Sequence, residues 1–112
     1  MKLIIAIIQP NRLEAVKAAL AEVEVFRLTV MDVQGFGRQR GYTKEEEPAE
    51  EVKFVEKLKL EIVVDEEMVE NVIAILRKLA GSKTIGAGKI FVVPVEDAVR
   101  ISTAESGDRA IH

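Results

Sequence analysis

The stretch Lys57-Leu58-Lys59-Leu60-Glu61-Ile62-Val63-Val64-Asp65 decides the fold. In an extended chain Lys57, Lys59 and Glu61 fall on one face and Leu58, Leu60, Ile62 and Val64 on the other, the pattern of a strand with one buried side. Asp65 then suits the N-cap of a helix whose apolar side carries Met68, Val69, Val72, Ile75, Leu76 and Leu79. Arg77 and Lys78 suit the negative C-terminal end of that helix, and Gly81 is a natural residue just past it. A further apolar strand follows at 90–95, so this half reads strand, helix, strand.

The half upstream repeats the order. Residues 3–9 are apolar on both faces, which places that strand centrally or at an interface. Pro10 and Asn11 end it, and Asn11 with Glu14 three residues later resembles a capping box. Leu13, Val16, Leu20 and Val23 form a helical stripe, and 26–35 is a second strand rich in β-branched and apolar residues. Two such halves predict an α+β, ferredoxin-like βαββαβ chain with both helices on one face of an antiparallel sheet. The whole of 1–112 reads as one domain. The other sheet face then carries apolar groups that a small monomer would not leave bare, which predicts a homo-oligomer.

Composition narrows the function. The 112 residues are 48% apolar and 31% charged, the balance of a globular chain, and the net charge of −3 gives no support for nucleic-acid binding. There is no cysteine, and the only histidine is His112, which disfavours thiolate, histidine-metal and histidine acid–base chemistry. The apolar run at the start is too short for a membrane span, so no direct membrane insertion and a cytoplasmic location are expected.

Two segments stand apart. Between the second and third strands, 37–56 is too long for an ordinary hairpin turn and carries Lys44-Glu45-Glu46-Glu47-Pro48-Ala49-Glu50-Glu51. This acidic run reads either as a solvated tip or as an interaction loop. At 81–89, Gly86, Gly88 and Lys89 precede a strand rather than a helix, so this is not a Walker A loop. It is either a plain turn or a place where backbone N–H groups and an ammonium meet phosphate.

Taken together, Gly35-Phe36-Gly37-Arg38-Gln39-Arg40-Gly41, the long loop, Lys57-Leu58-Lys59-Leu60-Glu61, residues 82–91 and Val95-Glu96-Asp97-Ala98-Val99-Arg100-Ile101 resemble the PII nitrogen-regulatory signal-transduction proteins over nearly the whole chain. The resemblance implies a non-catalytic homotrimer with nucleotide sites in the clefts between subunits. It also implies a T-loop at about 37–56, a B-loop at about 81–89 and a C-terminal loop at about 101–112. ATP or ADP, with AMP as a further candidate, would bind in those clefts. Mg²⁺ would accompany ATP, and 2-oxoglutarate would join it. The T-loop would dock onto a regulated partner such as a membrane transporter or a metabolic enzyme.

Carried over residue by residue, Gly86, Gly88 and Lys89 would face the phosphates, with Ala87 between the glycines. Arg100 would contact phosphate, and Ser102 would lie beside it. Thr29 would touch the adenine, and Gly35, Gly37, Arg38 and Gln39 would line the base of the T-loop. Gln39 would ligate Mg²⁺ together with 2-oxoglutarate, Lys57 would pair with the distal carboxylate of 2-oxoglutarate, and Arg40 and Gly41 would lie beside it. Without the resemblance, each has a plainer reading: Lys57 as the exposed face of a strand, Thr29 as a strand residue, Arg100 as a surface partner of Glu96 or Glu105.

The chain departs from the family's pattern in three places. Glu51 stands where many members carry a uridylylated tyrosine, so no modification there is expected. Ala87 replaces an aspartate or tyrosine. Ser102 replaces a second arginine, which predicts weaker ATP binding and a shift toward ADP or AMP. A divergent sensor of ADP or AMP with bicarbonate, acting on a carbon-related transporter or enzyme, is the alternative. A small enzyme hydrolysing ATP or acyl phosphate, and a purely structural or metal-binding trimer, are the other classes. The polar run 102–112 is expected to be mobile without ligand.

Overall fold

The computed structural model describes residues 1–39, 51–80 and 88–112, with side chains described outside 37–39 and 51–53. The elements run β1 (Lys2–Ile8), α1 (Leu13–Glu22), β2 (Thr29–Gln39), β3 (Glu51–Val64), α2 (Val69–Leu79) and β4 (Ile90–Pro94). Three short 3₁₀ turns, Pro10–Arg12, Glu66–Met68 and Gly107–Ile111, join or extend them. The four strands form one sheet in the order β2-β3-β1-β4, with every neighbouring pair antiparallel. This is the ferredoxin-like α+β arrangement expected from the two β-α-β halves.

The alternation around Leu60 sets the packing. Ile4 lies opposite Ile62 and Ala6 opposite Leu60, so the even residues of both central strands share one face. That face meets Val16 and Leu20 of α1 and Val72 and Leu76 of α2 in one buried cluster. Leu13, Met68, Val69, Ile75 and Leu79 pack around its edge, as the two helical stripes require. The central position of β1 explains why its sequence is apolar on both faces. Its odd residues, Leu3, Ile5 and Ile7, share the open face with Phe91 and Val93 of β4, and Phe91 is half exposed.

Local details differ from the sequence expectations for physical reasons. The capping box does not form: Pro10 opens a 3₁₀ turn instead, and Arg12 takes the N-cap of α1 without a side-chain bond. Asp65 does occupy an N-cap, but of the turn Glu66–Met68, and through its main-chain oxygen (3.0 Å from Met68 N) rather than its carboxylate. Ala80 is the C-cap of α2, and Gly81 lies outside the described residues. β2 begins at Thr29 rather than at Phe26, because Val25 and Leu28 turn inward onto the core. The β2–β3 ladder also reaches further than alternation implies. Its rungs continue through Phe36–Phe54 to Gln39–Glu51, so 37–39 and 51–56 are strand rather than loop. Backbone pairing does not depend on apolar side chains, and the two rings meet at 5.1 Å between centroids.

At the end of α1 the chain turns back through Glu24 at φ 64°. Val25 N–H donates to Leu20 O and Glu24 N–H to Ala21 O, both at 2.9 Å, which is a Schellman closure around a non-glycine residue.

Candidate functional site

The candidate residues fall into two groups. The first gathers where β1 ends. Gly88 adopts φ 107° and its backbone lies against the Ile7 carbonyl, while Ile7 N–H donates to Lys89 O at 3.4 Å. The Lys89 side chain is exposed. Across the sheet, Lys57 lies opposite Val33 on β2, and Gly35 opposite Val55. The missing Cβ of Gly35 would sit 3.5 Å from Lys57 Cγ, so the two share one face and the lysine stem lies over the glycine. Lys57 is half-buried, and an open groove of about 700 Å³ runs past it, lined by Pro10, Asp32, Val33, Gln34, Glu56 and Lys57 itself.

The second group runs from the middle of the sheet, where Glu61 pairs with Ile5, to beyond its other end. Thr29 opens β2, exposed and opposite Glu61. After β4, Val95 N–H reaches Met1 O at 3.2 Å, so the chain leaves the sheet beside the start of β1. Val99 and Ser106 then bridge in antiparallel fashion, with Arg100 and exposed Ser102 in the bend between them. Arg100 O accepts from Ala104 N–H at 2.7 Å, and Ala104 takes φ 65° to close the bend.

The Arg100 guanidinium is drawn onto its own chain. Its Nη2 donates to the main-chain oxygen of His112, and its Nε stands 3.6 Å from a Glu105 carboxylate oxygen. That Nε is buried and has no hydrogen-bond partner: 3.6 Å is an ion-pair distance, too long for a hydrogen bond. Of the two surface partners weighed for Arg100, Glu105 is the one it meets. His112 in turn places Nε2 at 2.7 Å from Asp65 Oδ2. The polar segment 102–112, expected to be mobile without ligand, contains the turn Gly107–Ile111. Beside it lies a cavity of about 370 Å³ whose walls include Phe26, Val63, Met68 and Ile111.

Gly86, Ala87, Arg40 and Gly41 lie outside the described residues, as do the side chains of Arg38 and Gln39; Gly37 is placed only as a rung of the ladder opposite Lys53. Among the described residues there is no cluster of three or more His, Asp or Glu able to hold a metal, and no helix long and apolar enough to cross a membrane. Sequence reasoning missed the His112–Asp65 contact, since nothing local links residues so far apart. The Phe36–Phe54 pair was missed as well, because the two rings meet only across the paired strands.

Comparison with known proteins agrees with this architecture. The family model described as nitrogen regulatory protein P-II matches residues 1–105. The chain is 47% identical over 112 residues to the nitrogen regulatory protein P-II of Azospirillum brasilense, covering 99% of this chain and 100% of that one. It is 46% identical over 112 residues to the protein of the same name in Synechocystis, with the same coverage. Nitrogen regulatory protein GlnK1 of Methanosarcina mazei is 44% identical over 114 residues, covering 99% of this chain and 97% of that one. With the βαββαβ order, the paired strands β2 and β3 and matches spanning nearly the whole chain, this protein belongs to the P-II family of nitrogen regulatory signal-transduction proteins.

Proposed function

We propose that the chain is a non-catalytic signalling protein of the cytoplasm that binds adenine nucleotides in the clefts of a homotrimer. It regulates a partner of nitrogen metabolism or transport through the segment between β2 and β3. The observation that carries this reading is the division of the candidate residues between the two ends of one sheet. Gly35, Lys57, Gly88 and Lys89 gather where β1 ends, and Arg100 lies beyond its start. The seven residues of β1 span about 20 Å, so Arg100 does not meet the first group within one chain. Two copies laid side by side would bring opposite ends together and complete a cleft. The open face supports assembly, because Leu3, Ile5, Ile7, Phe91 and Val93 form an apolar surface on the side of the sheet away from α1 and α2.

The residues present fit a polyphosphate. Arg100 holds a buried N–H without a partner, and Gly88 takes a backbone conformation that brings main chain rather than side chain to the loop. Gly86, Gly88, Lys89 and Arg100 would hold the phosphates, with Ala87 and Ser102 beside them, and Thr29 would meet the base. Gly35, Gly37, Arg38 and Gln39 would line the approach. Mg²⁺ with Gln39, and 2-oxoglutarate with Lys57, Arg40 and Gly41, complete the reading. Bound nucleotide would supply negative charge for these groups to neutralise, and its occupancy would be read out at the hairpin.

Calorimetric titration with ATP, ADP and AMP, each with Mg²⁺ and with or without 2-oxoglutarate, tests this, alongside the mass in solution. A species of three chains that takes up 2-oxoglutarate only with Mg-ATP supports it. Absence of any nucleotide binding overturns it. Ser102 favours a second reading: it is exposed beside Arg100 and brings no guanidinium. If ADP or AMP binds and 2-oxoglutarate does not, a sensor of bicarbonate acting on a carbon-related transporter or enzyme is the better description.

A further inference from the structure

Arg100 is engaged twice by its own chain, yet it remains incompletely satisfied. Nη2 donates to the His112 main-chain oxygen, Glu105 stands 3.6 Å from Nε, and that buried Nε donates to nothing. A guanidinium offers five donors in a planar fork suited to two acceptors of one anion, and neither a single main-chain oxygen nor a distant carboxylate uses that fork fully. The segment that supplies the oxygen is anchored at its start, where Gly107 N–H donates to Ala98 O and Asp97 Oδ1 at 3.0 and 3.1 Å, and is tied at its far end by a hook, His112 Nε2 on Asp65 Oδ2 at 2.7 Å. The His112 side chain is 65% exposed and that of Asp65 23%, so water competes for the hook.

We infer that Gly107–His112 is an autoinhibitory strap: hooked on Asp65, it occupies Arg100 and must be displaced before that guanidinium can grip a phosphate group. This rests on the assignment of Arg100 to the nucleotide phosphates. The strap leaves Arg100 folded and charged but poised, since an entering phosphate exchanges one main-chain acceptor for oxygens that can also satisfy the orphaned Nε. Only the fraction of molecules with the strap released is competent, so apparent affinity is lowered by that fraction, and loosening the hook raises it.

The untagged chain is its own reporter, because His112 is its only histidine and its ring protons give unique resonances. ADP is titrated into the parent, Asp65→Ala, His112→Ala and Arg100→Ala by calorimetry, with the His112 ring followed by proton NMR where it is present. Loss of a half-exposed hook predicts about two- to fivefold tighter ADP binding in Asp65→Ala and His112→Ala. In the parent, saturating ADP moves the His112 resonances to the positions they hold in Asp65→Ala. Unchanged or weaker affinity in both hook variants, or His112 resonances that stay in place while ADP binds, overturns the strap. If Arg100→Ala binds ADP as tightly as the parent, the assignment of Arg100 to phosphate falls instead, and the strap's competitive role with it.

Discussion

Gly88 and Ile7 approach so closely that a Cβ added to Gly88 would lie 2.1 Å from the Ile7 carbonyl oxygen. The obstacle is backbone on a central strand, which cannot swing aside as the end of a flexible side chain can. Gly88→Ala also places a substituted residue at φ 107°. The expected cost is about 3 kcal/mol, combining a disfavoured backbone with overpacking. Urea denaturation gives the stability change, and nucleotide titration should show weaker binding in the same variant.

Leu60 and Ile62 are fully buried on β3, beneath the two helices. Leu60→Ala or Ile62→Ala should each destabilise the chain by about 2–5 kcal/mol, by lost transfer energy and an unfilled cavity. A denaturant midpoint within error of the parent would contradict the packing described for this face.

Glu24 closes α1 in a left-handed conformation that L side chains adopt at a cost. Glu24→Gly keeps both closing hydrogen bonds and removes that cost, while adding backbone freedom to the unfolded chain. The net expectation is a gain of about 0.5–1 kcal/mol, read as a higher melting temperature.

Phe91 stands on the open sheet face and is half exposed in the single chain. Phe91→Asp should therefore leave the subunit folded but prevent its association. With the proposed trimer as the parent state, sedimentation equilibrium would read a fall from the mass of three chains to that of one. An unaltered assembly would move the interface to another surface.

How much of this was legible in the sequence follows from the range of each interaction. The alternation at 57–64 and the two helical stripes were readable because their partners are a few residues away, and they fixed the order of elements and most of the core. The strand limits were less readable. Rungs such as Gln34–Glu56 pair through the backbone, and their polar side chains gave no alternating pattern. Asp65 was identified as a capping residue, yet its carboxylate is turned aside by His112, a contact that only tertiary folding creates. Arg100 and Glu105 were close enough in sequence for their pairing to be foreseen, whereas the main-chain oxygen of His112 was not. The grouping of Gly35 with Lys57 and of Gly88 with Ile7 needed the register of the whole sheet.

The β2–β3 ladder has one further consequence. The helices cover β3 from Leu58 onward, where its buried residues begin. The earlier rungs are joined by main-chain pairing and, among the described residues, by contacts such as exposed Phe36 on Phe54. Their opening is therefore thermodynamically separable from unfolding of the domain, as expected where few apolar contacts are buried. Substitutions in that ribbon leave the free energy of the folded body almost untouched. Natural selection can thus rewrite what the hairpin presents, including its acidic composition, without drawing on the stability of the domain that carries it.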